Sequence, residues 1–219
     1  MSRPSARRPA LTTQRVIDAA SRVADVSGLG GVSMRSVGRE LDVEAMSLYH
    51  HVASKDDLLD GLADWVFERM TTPAADRPWR AEMFTRAHSA RAVLLAHPWG
   101  LGMIESRRTP GPANLRHHDA VLGCLRTAGF SVALAAHAFS VLDAYVFGFV
   151  LTEVNLPFQQ GEAAEDFVAD LGLVMADHPH LAEMVATQVV GRDYQYGDEF
   201  DYGLALVLDG LETAFRGRG

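Results

Sequence analysis

Nine histidines, one cysteine and twenty-eight carboxylates give this 219-residue chain many groups that could bind a metal or move a proton, so spacing must decide among them. It argues against catalysis. There is no nucleophile elbow, phosphate-binding loop, dinucleotide fingerprint or cysteine pair. His117 and His118 are neighbours on a predicted helix and diverge by about 100°, too far to chelate one metal together. His178-Pro179-His180 reads as a solvated turn. No enzyme, cofactor or metal site is expected. The residues whose types and spacing do point to chemistry lie between Ser33 and Lys55, in SMRSVGRELDVEAMSLYHHVASK, and that chemistry is recognition.

Two short helices joined by a tight turn must hold this set. Ser33 is a candidate N-cap, and Met34, Val37 and Leu41 follow on one helical face. Leu41-Asp42-Val43 breaks the rhythm. Val43, Met46, Leu48 and Val52 then form a second apolar set able to pack back on the first. Glu44, Ala45, Ser47, Tyr49, His50 and His51 are left pointing outward, with Arg35 near the start of the first helix. Such a helix fits the roughly 12 Å major groove, its first turn at base edges and its flanks at phosphates. The pattern alone leaves open a helical hairpin whose polar face is merely solvated.

Hydrophobic residues at 48% and charged residues at 22% describe an ordinary globular chain. The net charge of −8 is unevenly spread: residues 1–56 carry eight basic against six acidic side chains, while the remainder carries twelve against twenty-two. A basic end on an acidic body suits phosphate attraction at one place. Cys124 is the single cysteine, so no intrachain disulfide can form. No apolar run reads as long enough to span a bilayer, and the N-terminus lacks an apolar signal core, so a cytoplasmic protein without membrane partners is expected.

The run from Leu11 to Trp65 resembles the DNA-binding domain of the TetR family of bacterial repressors. The resemblance rests on an opening amphipathic helix, the small-residue run Ser27 to Gly31, the turn Leu41-Asp42-Val43, the signature Leu48-Tyr49-His50-His51-Val52, and Lys55 followed by Leu58 and Leu59. It implies an all-α chain: an N-terminal three-helix helix-turn-helix domain, 11–56, joined to a larger helical ligand-binding and dimerisation domain, 57–219. A basic arm, 1–10, precedes them, with Arg3, Arg7 and Arg8 able to reach DNA. The implied function is that of a ligand-responsive regulator, a homodimer that binds a palindromic double-stranded operator and is released by a small-molecule inducer. The alternative is a helical ligand-binding or scaffold protein that does not use its helix-turn-helix on DNA. The DNA-facing set is Thr13, Ser33, Arg35, Ser47, Tyr49, His50, His51 and Lys55, with Thr13 resting on the resemblance alone. Lys55 opposes the dipole of its own helix, a cost easier to understand if it faces phosphate.

Beyond the reading unit the chain reads as helix. Thr12 or Thr13 caps a first helix that Ser27-Gly28 ends, and Ser54 caps a longer one with a stripe of Leu58, Leu59, Leu62, Trp65, Val66 and Met70. Further helices are predicted over 79–97, 98–106, 113–128, 131–154, 163–176, 181–190 and 200–215. The helix at 131–154 is apolar nearly all round and must be buried all round. With 200–215 it would form a four-helix interface between two copies, which is also how the resembled family assembles. His97-Pro98-Trp99 and the stretch Ser106 to Asn114 resemble the regulatory domain of the tetracycline-repressor subgroup. By that resemblance Trp79, Met83, Phe84, His88, Trp99, Met103, Ile104, Asn114, Phe139, Asp143 and Phe147 surround a ligand cavity, and aromatic, methionine and a few polar groups suit one. The subgroup's magnesium-binding histidine falls on Ile104 and its partner glutamate at or beside Thr152, so magnesium-tetracycline is not expected as inducer; Glu153 and His88 leave a metal formally open.

Overall fold

A computed structural model describes residues 10–106, 109–156, 177–192 and 194–217. Arg3, Arg7 and Arg8 of the arm, Arg107 and Arg108, and the helix expected over 163–176 lie outside the described residues. Among those described, every regular element is helical: α1 (Thr13–Gly31), α2 (Met34–Leu41), α3 (Ala45–Leu48), α4 (Lys55–Arg69), α5 (Trp79–Ala96), α6 (Trp99–Ser106), α7 (Pro112–Thr127), α8 (Val132–Val154), α9 (Pro179–Gln188) and α10 (Glu199–Arg216), with one turn of 3₁₀ helix at Tyr196–Asp198. They fold as two compact units, Met1–Ala128 and Gly129–Gly219.

Helix starts follow local chemistry. Thr12, Ser33, Ser54 and Ser131 each present a side-chain oxygen that accepts from the backbone N–H three residues on. This satisfies donors that a helix leaves open at its first turn. The first helix runs further than the Ser27-Gly28 pair suggested: Gly28 takes φ +63° and kinks it, and the chain resumes helical geometry to Gly31. Only glycine holds that left-handed conformation without a Cβ penalty, so the kink is local and the helix need not end there.

In the first unit, α4 buries Leu58, Leu62, Ala63, Trp65, Val66 and Phe67. Leu59 is only half-buried, and Phe67, outside the expected stripe, is 2% exposed. Two indole N–H groups tie this helix and α6 to carboxylates two turns apart on α1. Trp65 Nε1 donates to Asp18 at 2.9 Å and Trp99 Nε1 to Asp25 at 2.6 Å. His97 Nδ1 lies 2.7 Å from the same Asp25 oxygen, and its ring meets Trp65 edge-on at 4.8 Å. Arg69 covers the Trp65 indole, 3.2 Å from its centroid. Asp64 uses both carboxylate oxygens, each at 2.9 Å, to accept from the backbone of Ala113 and Asn114 at the start of α7. A negative charge there also suits the helix dipole.

In the second unit α8 and α10 pack together. α8 buries the stripe Leu134, Ala135, Ala138, Leu142, Val146 and Val150. α10 buries Phe200, Leu204, Leu208 and Leu211. Tyr145 donates to the Phe200 carbonyl at 2.8 Å, and Phe130 stacks on Phe215 at 4.5 Å. α8 is also, contrary to the sequence reading, long and apolar enough to cross a membrane by length and composition. Its burial is on one face only: Val132, Val141 and Leu151 stay exposed, as do Tyr202 and Leu206 on α10.

Candidate nucleic-acid interface and regulatory core

The reading unit is built almost wholly from local bonds. Ser33 and Ser36 form a reciprocal capping box at the start of α2, and Ser36 Oγ also donates to the Gly31 carbonyl at 2.8 Å. Met34 and Val37 are buried, as the spacing predicted. The turn closes on Asp42, which takes φ +55° while its N–H reaches back to Arg39, and Val43 N–H donates to Gly38 at 2.9 Å. Gly38 is there because α3 comes so close. A Cβ on it would lie 2.9 Å from the Val43 carbonyl oxygen and 3.3 Å from Ala45 Cα.

The second helix is a single turn, Ala45–Leu48, followed by turns through His51 whose N–H groups return to Met46 and Leu48. Leu48 and Val52 are buried as expected. Met46 is not. The sequence reading placed it in the small core, but it is 73% exposed. A four-residue helix has no repeat from which to read a face, and positions 46 and 48 differ by about 200° around the axis, so both cannot point inward.

The predicted DNA-facing residues differ in what they have to offer. Tyr49 is 45% exposed, and Arg35, His50 and Lys55 are exposed, Lys55 at the first position of α4. Ser47 and His51 are half-buried. Thr13 donates its hydroxyl proton to the His51 carbonyl at 3.1 Å, joining the start of α1 to the end of the reading unit. Ser33 is occupied as a cap. The Thr13 and Ser33 hydroxyls thus bond within the scaffold, the His51 side chain is not part of its bond to Thr13, and Arg35, Tyr49, His50 and Lys55 are exposed. The sequence reading misplaced Met46 and passed over Gly38. Gly38's meaning was visible only as a lone glycine in a helix interior, which is otherwise unfavourable.

Of the residues assigned to a ligand cavity, eight lie in the first unit. Met83, Trp99 and Met103 are buried, Trp79, His88, Ile104 and Asn114 half-buried, and Phe84 exposed. Phe84 and His88 sit together, ring centroids 4.4 Å apart. Trp99 spends its N–H on Asp25. In the second unit Phe139, Asp143 and Phe147 follow one another at single-turn spacing along a half-buried face of α8. Ile104 has no donor atom to offer a cation and so does not fit the magnesium set of the resembled subgroup, while the Thr152 hydroxyl donates to the Gly148 carbonyl at 3.1 Å.

The polar centre of the first unit is a pair that the sequence did not reveal. Arg86 on α5 is 1% exposed and donates through Nε to His117 Nε2 on α7 at 3.0 Å. His117 is 2% exposed, stands 5.7 Å from the Phe67 ring, and must carry its proton on Nδ1. Burial, then the charge of Arg86, then His118 push its pKa down to about 3, so the ring is neutral in the fold. Its Nδ1, and the Asn114 Oδ1 one turn earlier, are buried without a hydrogen-bond partner among the described residues. Cys124, one cysteine in the same core, has its thiol pushed up by burial and then by Glu82, which keeps it protonated and unreactive.

Comparison with known proteins agrees with this architecture. Residues 16–62 match the family described as bacterial regulatory proteins, tetR family, and residues 72–215 match the tetracyclin repressor-like C-terminal domain. The chain is 34% identical to the HTH-type transcriptional repressor DrrR1 of Streptomyces coeruleorubidus, covering 94% of this chain and 79% of that one. It is 30% identical to the class A tetracycline repressor of transposon 1721 from Escherichia coli, over 92% and 90% of the two chains. Apo ActR from Streptomyces coelicolor superposes with a TM-score of 0.77 at 25% identity, over 96% of this chain and 99% of that one, and ActR has also been solved with actinorhodin. The capped helix-turn-helix at one end and the helical domain that continues from it are therefore matched separately and in the same order, and the chain belongs to the TetR family of transcriptional regulators.

Proposed function

We propose that this protein acts in the cytoplasm as a repressor, a homodimer whose two reading units enter successive major grooves of a palindromic operator and leave it when a small molecule occupies the helical domain. The observation that carries the DNA half is the exposure of Arg35, Tyr49, His50 and Lys55 on a unit whose Thr13, Ser33 and Ser36 hydroxyls are already used in caps and turns. In this reading residues 11–56 form the DNA-binding domain. Ser47, Tyr49 and His50 meet bases or adjacent phosphates, Tyr49, His51 and Lys55 fix the backbone, and Arg35 reads a base.

The exposed apolar side chains of α8 and α10, Val141, Leu151, Tyr202 and Leu206, support pairing with a second copy. A pair of such helices from each subunit would bury them and set the distance between the two readers. The actinorhodin-bound form of ActR supports a small-molecule inducer. Release then follows if the inducer binds better to a conformation with the wrong half-site spacing.

A random-sequence DNA selection with the purified protein, read beside its mass in solution, tests this. The expected result is an enriched palindrome bound by a dimer, with Tyr49→Ala weakening operator binding and leaving the dimer mass unchanged. Flat enrichment at low salt, or a lone subunit under all conditions, overturns it.

A further inference from the structure

The reading unit leaves one aliphatic side chain largely exposed. Leu48 is fully buried and marks the inside of α3; Met46, about 200° away on the same turn, marks the outside and is 73% exposed. The exposed His50, four positions on, follows it on that side, while Glu44, just before α3, makes no capping bond with its side chain. From Glu40 to Ser54 the chain has no lysine or arginine. The commonest major-groove contact, a bidentate arginine on guanine, is thus unavailable to α3 itself. What α3 offers instead is a flexible apolar side chain. In the major groove the one apolar feature on any base edge is the C5-methyl group of thymine.

We propose that Met46 is a specificity-determining residue that reads a thymine methyl in each operator half-site. This rests on the regulator reading above. The long, polarisable thioether can follow the methyl without a fixed geometry, and both surfaces leave water on contact. Burying one methyl-sized group corresponds to about a fourfold change in affinity per half-site.

The test uses the full-length protein and the palindrome recovered by selection. Each thymidine of the operator is replaced in turn, in both half-sites, by deoxyuridine, which removes only the methyl, and dissociation constants are measured by fluorescence anisotropy at fixed salt. The wild type should show a loss of about fourfold per half-site at one symmetric position. Met46→Ala should abolish that loss, and Met46→Leu should keep it. Because each loss is a ratio within one variant, any general effect of the substitution on folding or affinity cancels. A flat scan on an operator that the wild type binds well, a half-site without thymine, or a loss that persists in Met46→Ala overturns the proposal and leaves the regulator reading standing. Failure to recover any operator removes that reading and this one with it.

Discussion

The reading unit and the core between α5 and α7 solve the problem of polar groups in opposite ways. In the reading unit, partners lie within a few residues: Ser33 with Ser36, Ser36 with Gly31, Val43 with Gly38. In the regulatory core, Arg86 meets His117 from 31 positions away, and two polar atoms nearby stay unsatisfied. The first arrangement makes a small rigid body from a short stretch of chain. The second places a buried charge where only long-range packing can hold it. The two regions therefore answer to different information, near neighbours in the chain for the one and the packing of distant helices for the other.

Acid should break this contrast most strongly. His117 stays neutral in the fold down to about pH 3, whereas in the unfolded chain it takes up a proton near pH 6.5. Between those values the unfolded state binds the extra proton, so stability falls as pH falls, by up to about 1.4 kcal/mol per pH unit from this group. Chemical denaturation followed from pH 7 to 4 should show that slope, and His117→Phe should lose it; an unchanged slope would mean that other groups carry the acid sensitivity.

A large side chain at the turn should disturb the other region. Gly38→Val would push a Cβ against the Val43 carbonyl, and strain of this kind costs about 1–3 kcal/mol. Thermal unfolding should report it, together with a loss of operator binding greater than the loss of stability, since the two helices of the reader can no longer close on each other. Equal binding by the variant would show that the close approach is not needed.

The smallest effect should come from the cap. Ser33→Ala removes the acceptor for Ser36 N–H, worth about 1 kcal/mol of stability. Its operator affinity should fall only as far as the loss of fold explains. A larger fall would make Ser33 a direct DNA contact as well as a cap.

Much of the reading unit is legible in the amino-acid sequence because its information is local. The caps at Ser33 and Ser54, the buried faces of α2 and α4 and the exposed row after Leu48 follow from residue type and a 3.6-residue repeat. Met46 escapes because a helix of one turn does not repeat. Gly28 misleads because a glycine with positive φ can kink a helix as readily as stop it. The cavity residues come from resemblance, and the structure shows several with a structural task of their own, Trp99 on Asp25 above all.

The amino-acid order by itself determined where most of the helices start and that they are helices, since both depend on contacts within one or two turns. Only the tertiary structure decided that Arg86 and His117 are buried together, that Asp18 and Asp25 each hold an indole, and that Met46 looks outward. Those outcomes depend on which helices become neighbours, and neighbours are chosen by packing over the whole unit, which no local spacing encodes.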